Sequence, residues 1–484
     1  MSNMVACSFC GGDGVRRARP SKRALHEHRT AVAAASEGAP PSPPSPRRLP
    51  CAKCDGVGLV GLAAGAALPP LSDAVVAVVG GGIGGAAVAL ALQQRGIAVR
   101  VYERDGSFSQ RAQGYGLTMQ QGAHALRRLG LENSGVFSVA HRSFLPDGTA
   151  IGGYGRALHA STRDALGNGR GDAQRRNAHI PRQALRKSLV DALRPGTIAW
   201  GRALRSFDAD ADGGGVTLHL DDTSAAPGAP PPPPERAALL VGADGIYSAV
   251  RTQLLGDAAA AETQKDPPLR YLGVVVVLGR APCDHPLAKE QVFQTLDGTT
   301  RVYCMPFVDG VSMWQLSFRL SEAEARAMPR DGASLRAEAL RRVGGWHAPL
   351  PQLVADTRPE DVTGYPAYDR DPLPSSGGPL GGGRAATLLG DAAHPMSPFK
   401  GQGANQALLD AVGLACAVRR AAPFGGERRL ADCLGEYEDE MRRRSAPKVL
   451  GSRDAAEQLH SEQATAPSDC TRAAAARAAA VEPG

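Results

Sequence analysis

A glycine-rich turn near residue 80 constrains the fold of this chain more than any other feature. Gly80, Gly82 and Gly85 fill the three glycine positions of a G-x-G-x-x-G pattern that follows an apolar run. In this pattern the first glycine permits a sharp turn, the second lets the backbone approach a pyrophosphate, and the third lets a helix pack closely on a strand. The start of the next helix offers free N–H groups and a positive dipole end to phosphate. The pattern therefore predicts a dinucleotide-binding unit.

The residues around the turn supply the elements that the pattern requires. We predict a strand over Ala74–Val79, a helix over Gly82–Arg95 and a second strand over Ile97–Tyr102. Glu103 follows at about the 20-residue spacing of a carboxylate that holds a ribose hydroxyl. The same pattern serves NAD, NADP and FAD, and glycine turns also occur in loops that bind nothing. Other motifs are needed to distinguish these three cofactors from one another and from a turn that binds no ligand.

A second segment, Leu240–Arg251, is typical of an apolar strand, an Ala–Asp–Gly turn and a helix. Asp244 lies at the carboxyl end of the strand, where ligands bind in open α/β sheets. Ser248 is a predicted N-cap of the helix. The apolar run Ala237–Val241 is expected to pair with Val216–Leu220 as a hairpin with a proline-rich loop. Taken alone, an Asp–Gly turn is common and predicts no ligand.

A third segment, Thr387–Asn405, ends a strand in Gly–Asp and leads through a proline-bounded loop into a helix. Asp391 can accept hydrogen bonds from a sugar-alcohol chain. Gly401 and Gly403 open the helix with outward-facing amides, which stabilise negative charge on a ring bound there. We interpret His394, in the same segment, as structural rather than as an acid–base catalyst.

Together the three segments resemble the class A FAD-dependent monooxygenases. This aromatic hydroxylase family includes salicylate hydroxylase, kynurenine monooxygenase and the tetracycline-inactivating monooxygenases. The resemblance spans Asp73 to Arg444, with the segments in the family's order. It implies an α/β fold in which a Rossmann-like FAD-binding domain is interleaved with an antiparallel-sheet substrate domain. The FAD parts are expected at about 73–133, 180–260 and 385–420, and the substrate sheet at about 265–384.

The resemblance also implies which residues bind FAD. The glycine turn would hold the pyrophosphate, Glu103 the adenosine ribose and Asp391 the ribityl chain, while Asp244 is associated in the family with both FAD and NAD(P)H. The full set of expected cofactor-binding residues is Gly80, Gly82, Gly85, Glu103, Arg104, Arg182, Asp244, Asp391, Pro398, Gly401, Gly403 and Asn405.

The implied reaction uses NAD(P)H to reduce FAD, and O2 to form a flavin C4a-hydroperoxide that hydroxylates or epoxidises a small aromatic or polyene substrate. The cofactor supplies this chemistry, so no catalytic side chain is predicted. Two alternatives stay open: another flavin oxidoreductase, such as a reductase or a halogenase, or an interaction protein with an inactive or sensory flavin fold. Trp200, Trp314 and Trp346 do not form the W-x-W-x-I motif of the halogenases.

Four runs in the middle region predict the sheet that covers the flavin. They are Leu272–Leu278, Gln291–Thr295, Thr300–Pro306 and Val311–Phe318. The candidate pocket residues on or near them are Gln294, Tyr303, Met305, Phe307, Trp314, Tyr365, Tyr368 and Phe399. For any one of these residues, a place in the plain hydrophobic core is the more common alternative.

Two copies of C-x-x-C-x-G-x-G lie near the N-terminus, at Cys7–Gly14 and Cys51–Gly58. Each copy puts two thiols on a turn whose glycines let the backbone wrap a metal, and two copies supply the four sulfurs of a tetrahedral zinc site. The repeats resemble half of the cysteine-rich region of DnaJ-type chaperones. Redox pairs and free thiols are the alternatives, and the module is also a candidate site for a protein partner. The expected ligands of a structural zinc are Cys7, Cys10, Cys51 and Cys54.

Composition bounds the remaining possibilities. The chain has 484 residues and 43% hydrophobic content, enough for a large core. We predict a Cys-rich module with a Pro-rich spacer (1–70), the monooxygenase domain (73–444) and an Ala-rich, partly helical tail (445–484).

The net charge of +7 comes without an aromatic–basic module, so nucleic acid is not an expected partner. No apolar run reaches the ~18 residues of a membrane helix, and no disulfide framework is evident. A cytoplasmic protein is expected, with organelle targeting left open by the Arg-, Ala- and Ser-rich stretch 15–48.

Overall fold

The computed structural model describes residues 3–34, 42, 44, 47–63, 65–110, 114–132, 134–155, 177–210, 213–226, 228–256, 266–289, 291–374 and 378–467. Parts of three predicted segments lie outside these residues: most of the spacer between 35 and 46, residue 227 of the proline-rich loop, and the tail from 468 onward. Within the described part of the chain, no helix combines the length and the apolar character needed to span a bilayer.

Strands and helices alternate along the described residues. The strands are β1 (Met4–Ala6), β2 (Val15–Ala18), β3 (Arg47–Pro50), β4 (Leu59–Gly61), β5 (Val75–Val79), β6 (Ala98–Glu103), β7 (Gly116–Met119), β8 (Val136–Ser138), β9 (Ala140–Phe144), β10 (Ala150–Gly155), β11 (Asn177–Pro181), β12 (Ile198–Trp200), β13 (Arg202–Ala209), β14 (Val216–Asp222), β15 (Glu235–Ala237), β16 (Leu239–Gly242), β17 (Arg270–Pro282), β18 (Gln291–Leu296), β19 (Thr300–Val308), β20 (Val311–Arg319), β21 (Thr363–Asp369) and β22 (Ala386–Leu388). The α-helices are α1 (Lys22–Ala34), α2 (Ile83–Gln93), α3 (Gly122–Arg127), α4 (Arg182–Asp191), α5 (Ala249–Gly256), α6 (Glu322–Ala327), α7 (Gly332–Val343), α8 (Leu350–Ala355), α9 (Gly403–Arg419) and α10 (Leu430–Gln458). Short 3-10 helices cover Pro286–Ala288, Pro359–Asp361, Leu380–Gly383, Gly390–Ala392, Pro398–Lys400, Ala422–Phe424 and Glu462–Thr465.

A five-stranded parallel sheet carries the glycine turn, with strand order β12-β6-β5-β16-β22. Its central strands are apolar on both faces, since the consecutive residues Val76 and Ala77, and likewise Leu240 and Val241, are buried. This pattern suits a parallel sheet covered on both sides. Helix α2 connects the neighbouring parallel strands β5 and β6. The predicted strand–turn–helix–strand unit and the Rossmann-like fold class are confirmed, with element ends shifted by one or two residues.

A seven-stranded sheet forms the second layer, with strand order β10-β9-β18-β19-β20-β17-β21. All its neighbours are antiparallel except β9 and β18. The four predicted strands correspond to β17, β18, β19 and β20, so the expected antiparallel sheet is confirmed. One face packs on α7 and α8 around the buried ring of Trp314. The opposite face borders a cavity between this sheet and the parallel sheet.

The predicted hairpin holds for only part of its length. Strand β14 pairs with β15, where Val216 lies opposite Ala237. From Leu239 onward the chain leaves this small sheet and enters the parallel sheet as β16, between β5 and β22. The prediction of one strand over Ala237–Val241 is therefore wrong. Consecutive apolar residues from Leu239 to Val241 suit a strand buried on both faces rather than the edge of a hairpin.

Helix α10 crosses the boundary predicted at residue 445. It runs from Leu430 to Gln458, and its buried residues beyond the boundary include Val449, Ser452 and Ala456. A helix that buries one face along its whole length belongs to the core that it packs against. Residues 445–458 are thus part of the folded body, while 468–484 of the predicted tail lie outside the described residues.

Candidate functional site

A cavity of ≈ 1260 Å³ separates the carboxyl ends of the parallel strands from the free face of the seven-stranded sheet. The turns that follow β5, β16 and β22 form one wall, and strands β17–β20 form much of the other. The volume exceeds the ~300–1,000 Å³ of a pocket for one small ligand. The cavity therefore has room for a dinucleotide and a second, smaller molecule.

The structure brings the predicted cofactor residues to this wall from distant parts of the chain. Those that line the cavity are Gly82, Arg182, Asp391, Pro398, Gly401 and Gly403. Those that shape the turns next to the lining are Gly80, Gly85, Glu103, Asp244 and Asn405. Arg104, by contrast, is an exposed residue beside Glu103.

The glycine turn leaves open space where its pattern predicts a phosphate. A side chain at Gly85 would overlap the carbonyl oxygen of Gly80, so the third glycine is required by close packing. Gly80 itself has φ of 104°, which L side chains rarely adopt. A Cβ at Gly82 would meet no atom within 4 Å, and Gly82 lines the cavity at the start of α2. The turn is thus a cradle with an empty side at the N-terminus of a helix, which fits a pyrophosphate.

Glu103 is tied to the same turn. Its Oε2 accepts a hydrogen bond from the Gly81 amide at 2.8 Å, and its Oε1 accepts one from the Asp105 amide at 3.0 Å. Arg186, which the sequence analysis did not single out, donates from Nε to the Gly81 carbonyl at 2.8 Å and lies 3.8 Å from Glu103 Oε2. The carboxylate predicted to hold a ribose is therefore fixed in place beside the phosphate cradle.

Asp244 caps a helix. Its carboxylate accepts hydrogen bonds from the Ala249 amide at 2.8 Å and from the Ser248 hydroxyl at 2.5 Å, just before α5. Ser248 Oγ in turn accepts from the Arg251 amide at 2.9 Å, which confirms it as an N-cap. Burial raises the pKa of Asp244 above its usual value. Gly245, the next residue, lines the cavity.

Arg251 links the second and third segments. Its side chain is 1% exposed, and Nη1 donates to the carbonyls of Ala392 at 3.0 Å and Ala393 at 2.8 Å. Nε donates to Asp266 at 2.7 Å, which balances the buried charge. Arg251 thus holds the loop that carries Asp391. Its position at the end of the second segment was visible in the sequence, but its partners were not.

Asp391 lines the cavity, and the loop that carries it is anchored by a buried ion-pair network. His394 Nε2 lies 2.7 Å from Asp410 Oδ2, and Arg444 Nη2 lies 2.6 Å from Asp410 Oδ1. Burial alone would raise the pKa of Asp410, but His394 and Arg444 lower it to about 2. Asp410 also accepts from the Gly390 amide at 2.9 Å. His394 has the structural place expected of it, while Asp410 and Arg444 were missed because they lie on later helices.

The loop before α9 presents Gly401 and Gly403 to the cavity. Gly401 has φ of 60° after the short helix that begins at Pro398. Asn405 is 1% exposed, donates from Nδ2 to the Gly401 carbonyl at 2.8 Å, and accepts on Oδ1 from the amides of Gln120 at 2.9 Å and Gly122 at 2.8 Å. Asn405 therefore acts by fixing the loop against the start of α3.

Arg182 begins α4 and reaches the cavity, where its guanidinium lies 5.5 Å from the centre of the Tyr115 ring. The Asp391 side chain is exposed to the cavity, but the protein atoms around it restrict hydration and raise the pKa of its carboxyl, while His394 and Arg182 act in the opposite direction. One cation and one carboxyl thus lie close enough to influence each other within the cavity.

The sheet wall offers mostly apolar and aromatic surface. The predicted pocket residues that line it are Gln294, Tyr303, Met305, Tyr365 and Tyr368, while Phe399 reaches the cavity from the short helix Pro398–Lys400. Trp314 is wrong as a pocket residue: it is fully buried on the opposite face, where its Nε1 donates to Thr357 at 2.8 Å. Its neighbours Met313 and Gln315 line the cavity instead, because side chains alternate along a strand. Phe307 is buried in the core beside the cavity.

A hydrogen-bonded chain of side chains also borders the cavity. His179 lies 3.1 Å from Thr118 through Nδ1 and 2.7 Å from Ser138 through Nε2. Burial lowers the pKa of His179 to about 4, so its imidazole is neutral at physiological pH. A neutral imidazole donates through one nitrogen and accepts through the other, so His179 can hold both hydroxyls in place at the edge of the cavity. No motif marked it in the sequence.

The last turn of α10 and the residues after it close another part of the cavity. Its lining includes Ala455, Gln458, Leu459, Gln463, Ala464 and Ala466. His460, next to them, is buried and holds Ser317 of strand β20 through Nε2 at 2.9 Å. These residues fall in the predicted tail and were not expected at the site.

The four N-terminal cysteines meet at one point outside this cavity. Their Sγ atoms all lie within 4.8 Å of one another, and Cys7, Cys51 and Cys54 are buried. The structure thus brings together the four residues predicted as metal ligands.

Most of the chain is similar to known proteins in sequence and in fold. The family description "FAD binding domain" matches residues 73–349 and 383–450. The chain is 30% identical over 341 residues to the aurachin C monooxygenase/isomerase of Stigmatella aurantiaca, which covers 70% of this chain and 79% of that one. It is 29% identical over 391 residues to the FAD-dependent urate hydroxylase of Klebsiella pneumoniae, with coverage of 79% and 90%. Its fold is similar to the crystal structure of Klebsiella pneumoniae HpxO complexed with FAD and uric acid, with a TM-score of 0.64, 25% identity, and coverage of 81% and 90%.

Proposed function

The chain belongs to the class A FAD-dependent monooxygenases, and from that premise we propose that it uses NAD(P)H and O2 to hydroxylate a small aromatic substrate. One oxygen atom enters the substrate, the other leaves as water, and NAD(P)H supplies the two electrons. The observation that supports this most is the cavity in which a glycine-rich wall faces an apolar and aromatic sheet wall. The first wall suits the dinucleotide and the second suits a flat ring.

In this proposal, each segment of the glycine-rich wall would hold one part of FAD. The turn at Gly82 would hold the pyrophosphate, Glu103 the adenosine ribose and Asp391 the ribityl chain. The amides of Gly401 and Gly403, at the start of α9, would face the ring and stabilise negative charge on it. When bound, FAD supplies the electron transfer and the oxygen chemistry.

The sheet wall would orient the substrate and keep water away from it. Tyr303, Met305 and Met313 provide apolar surface, and a water-poor site strengthens each electrostatic contact within it. Arg301 is 4% exposed, lies 4.9 Å from the centre of the Tyr303 ring, and donates to Gln294 Oε1 at 2.8 Å. A buried cation on this wall favours an aromatic substrate that bears a carboxylate or a phenolate.

Spectra and turnover test the proposal together. We expect the purified protein to carry or take up FAD, and NADH or NADPH to bleach the flavin faster when one member of a panel of phenols and aromatic acids is present. Under 18O2, the product should contain one labelled oxygen atom. Asp391→Ala should lower flavin content, whereas Asp309→Ala, an exposed substitution on a turn of the other sheet, should not.

Three other outcomes would each contradict a different part of the proposal. Flavin that is reduced by neither NADH nor NADPH would overturn the proposed donor. Rapid reduction without a labelled product from any substrate would favour a reductase. Bound flavin with neither reduction nor turnover would favour a sensory or inactive fold.

A further inference from the structure

We propose that Cys7, Cys10, Cys51 and Cys54 bind one Zn²⁺, and that the zinc-loaded module holds the distal ends of α2 and α9, the two helices whose N-termini border the cavity proposed for FAD. The inference goes beyond the proposed oxygenase reaction. Its tests measure metal content, folding and flavin affinity, so they do not depend on turnover.

The two cysteine turns form a pseudo-twofold unit. Strand β1 before the first turn pairs with β4 after the second, and β2 after the first pairs with β3 before the second. The Cys7 amide donates to the Gly58 carbonyl at 2.9 Å, and the Cys51 amide donates to the Gly14 carbonyl at 2.9 Å. Each half therefore contributes two thiols to a shared centre.

The sulfur positions fit a tetrahedral metal site better than disulfides. The Sγ atoms of Cys7 and Cys51 are 4.0 Å apart, and those of Cys10 and Cys54 are 3.7 Å apart. Four thiolates at about 2.3 Å from a zinc ion have S–S edges of about 3.8 Å. A disulfide would need about 2.05 Å. The spacing is that of ligands around a common ion.

Backbone amides point at the sulfurs as they do toward thiolates. The Gly14 amide donates to Cys10 Sγ at 3.2 Å, and the Gly58 amide donates to Cys54 Sγ at 3.2 Å. A Cβ at either glycine would strike the backbone of the other turn, so the glycines are needed for the two halves to approach. These N–H groups lower the cost of negative charge on the ligands.

The module has almost no hydrophobic core of its own. Its buried cluster consists of Cys7, Cys51 and Cys54, with Cys10 and Val60 packed against them. Units this small usually need disulfides or a metal to fold. The described cysteines here are free thiols, which leaves a metal to supply the missing stability.

Two arginines join this module to the far ends of α2 and α3, and both lie beside Cys416 of α9. Arg95, just after α2, is 4% exposed and donates from Nη2 to the Gly12 carbonyl at 2.7 Å. Arg128, just after α3, donates to the carbonyls of Asp13 at 2.8 Å and Val57 at 3.3 Å, so it contacts both turns. Nη2 of Arg95 and Nη2 of Arg128 also lie 3.4 and 3.6 Å from Cys416 Sγ.

These contacts lie at the opposite ends of the helices from the cavity. Helix α2 begins at Ile83 beside the glycine turn, and α9 begins at Gly403. Cys416 is 13 residues after Gly403, about 20 Å along the axis. Loss of the metal would release the ligands, free the two turns and leave the Arg95 and Arg128 contacts unmade. The N-termini of α2 and α9 would then be held less firmly against FAD.

Metal content is the first test. By elemental analysis, the full-length protein should carry one zinc per chain, Cys10→Ser should lose most of it, and Cys283→Ser, which follows strand β17, should retain it. Since Cys10→Ser could misfold, the wild-type protein should also release its zinc to a mercurial reagent with loss of thermal stability. Wild-type protein without zinc, or with a mass showing loss of four thiol hydrogens, would overturn the metal assignment.

Flavin affinity tests the coupling. Zinc-depleted wild-type protein should bind FAD about 5-fold or more weakly, within the range of typical coupling energies. Arg128→Ala should keep its zinc and weaken FAD similarly, whereas the matched control Arg127→Ala should match wild type, because Arg127 is exposed. Equal FAD affinity in the zinc-loaded and zinc-depleted proteins, or in Arg128→Ala and wild type, would overturn the coupling.

Discussion

The two walls of the cavity present their chemistry in different ways. The cofactor wall is made of backbone at the ends of strands, and some of its positions, such as Gly85, leave no space for a side chain. The sheet wall is made of side chains from β17–β20 that alternate between cavity and core. A change on the first wall should therefore affect folding or FAD, whereas a change on the second can alter one contact to the substrate at a time.

The glycine turn should give the largest effect. Gly85→Ala is expected to lower the free energy of unfolding by at least about 3 kcal/mol, because the new methyl group overlaps the Gly80 carbonyl. Gly82→Ala is its control: the new methyl group meets no protein atom, so stability should be kept while FAD affinity falls about tenfold or more. Denaturant unfolding and flavin titration measure the two. Equal stability of both variants would contradict the contrast.

The buried network under Asp391 should come next. Asp410→Asn is expected to cost about 3 kcal/mol, since Arg444 and His394 lose their anionic partner. The folded pKa of Asp410 is about 2, below the unfolded value of 3.8, so its contribution is present above about pH 4 and is lost as the pH falls toward 2. Unfolding free energies measured from pH 2 to 7 should therefore draw together for the two proteins as the pH approaches 2. A difference that does not depend on pH would count against this account.

The core face of the sheet should respond in stability alone. Trp314→Phe is expected to lower the free energy of unfolding by about 2 kcal/mol, since it leaves a void and removes the hydrogen bond to Thr357. Flavin content and substrate preference should stay those of the wild type. A changed substrate preference would place Trp314 on the wrong face.

The cavity face should show the smallest and most selective effect. Tyr303→Phe is expected to change KM for the aromatic substrate about 3- to 10-fold. The free energy of unfolding should stay within about 0.5 kcal/mol of the wild-type value. Steady-state kinetics beside thermal unfolding would measure this. A loss of bound FAD in Tyr303→Phe would break the division between the two walls.

The same division explains what could be predicted from the sequence. Gly80, Gly82, Gly85 and Asp391 lie in short motifs whose geometry is local, so their place at the strand ends followed from the chain itself. Arg251 is part of a motif too, but its hold on the carbonyls of Ala392 and Ala393 joins residues about 140 positions apart. Spacing along the chain carries no record of such a contact.

Strand faces were harder to assign than strand positions. The run Val311–Phe318 is apolar on both faces, so its pattern indicates a strand without showing whether Met313 or Trp314 faces the cavity. The phase was set by packing against α7 and α8. The cysteine cluster is the opposite case, because two repeats of one C-x-x-C-x-G-x-G pattern predicted that four sulfurs would meet.

The segment from Ala455 to Ala466 borders the cavity but lies beyond residue 450, where the match to the family ends. The family model thus covers the residues proposed to hold FAD, while this stretch of the cavity lining lies outside it. An engineer who wants a new substrate preference would begin there, because a substitution in this stretch reaches the cavity without changing a proposed cofactor residue.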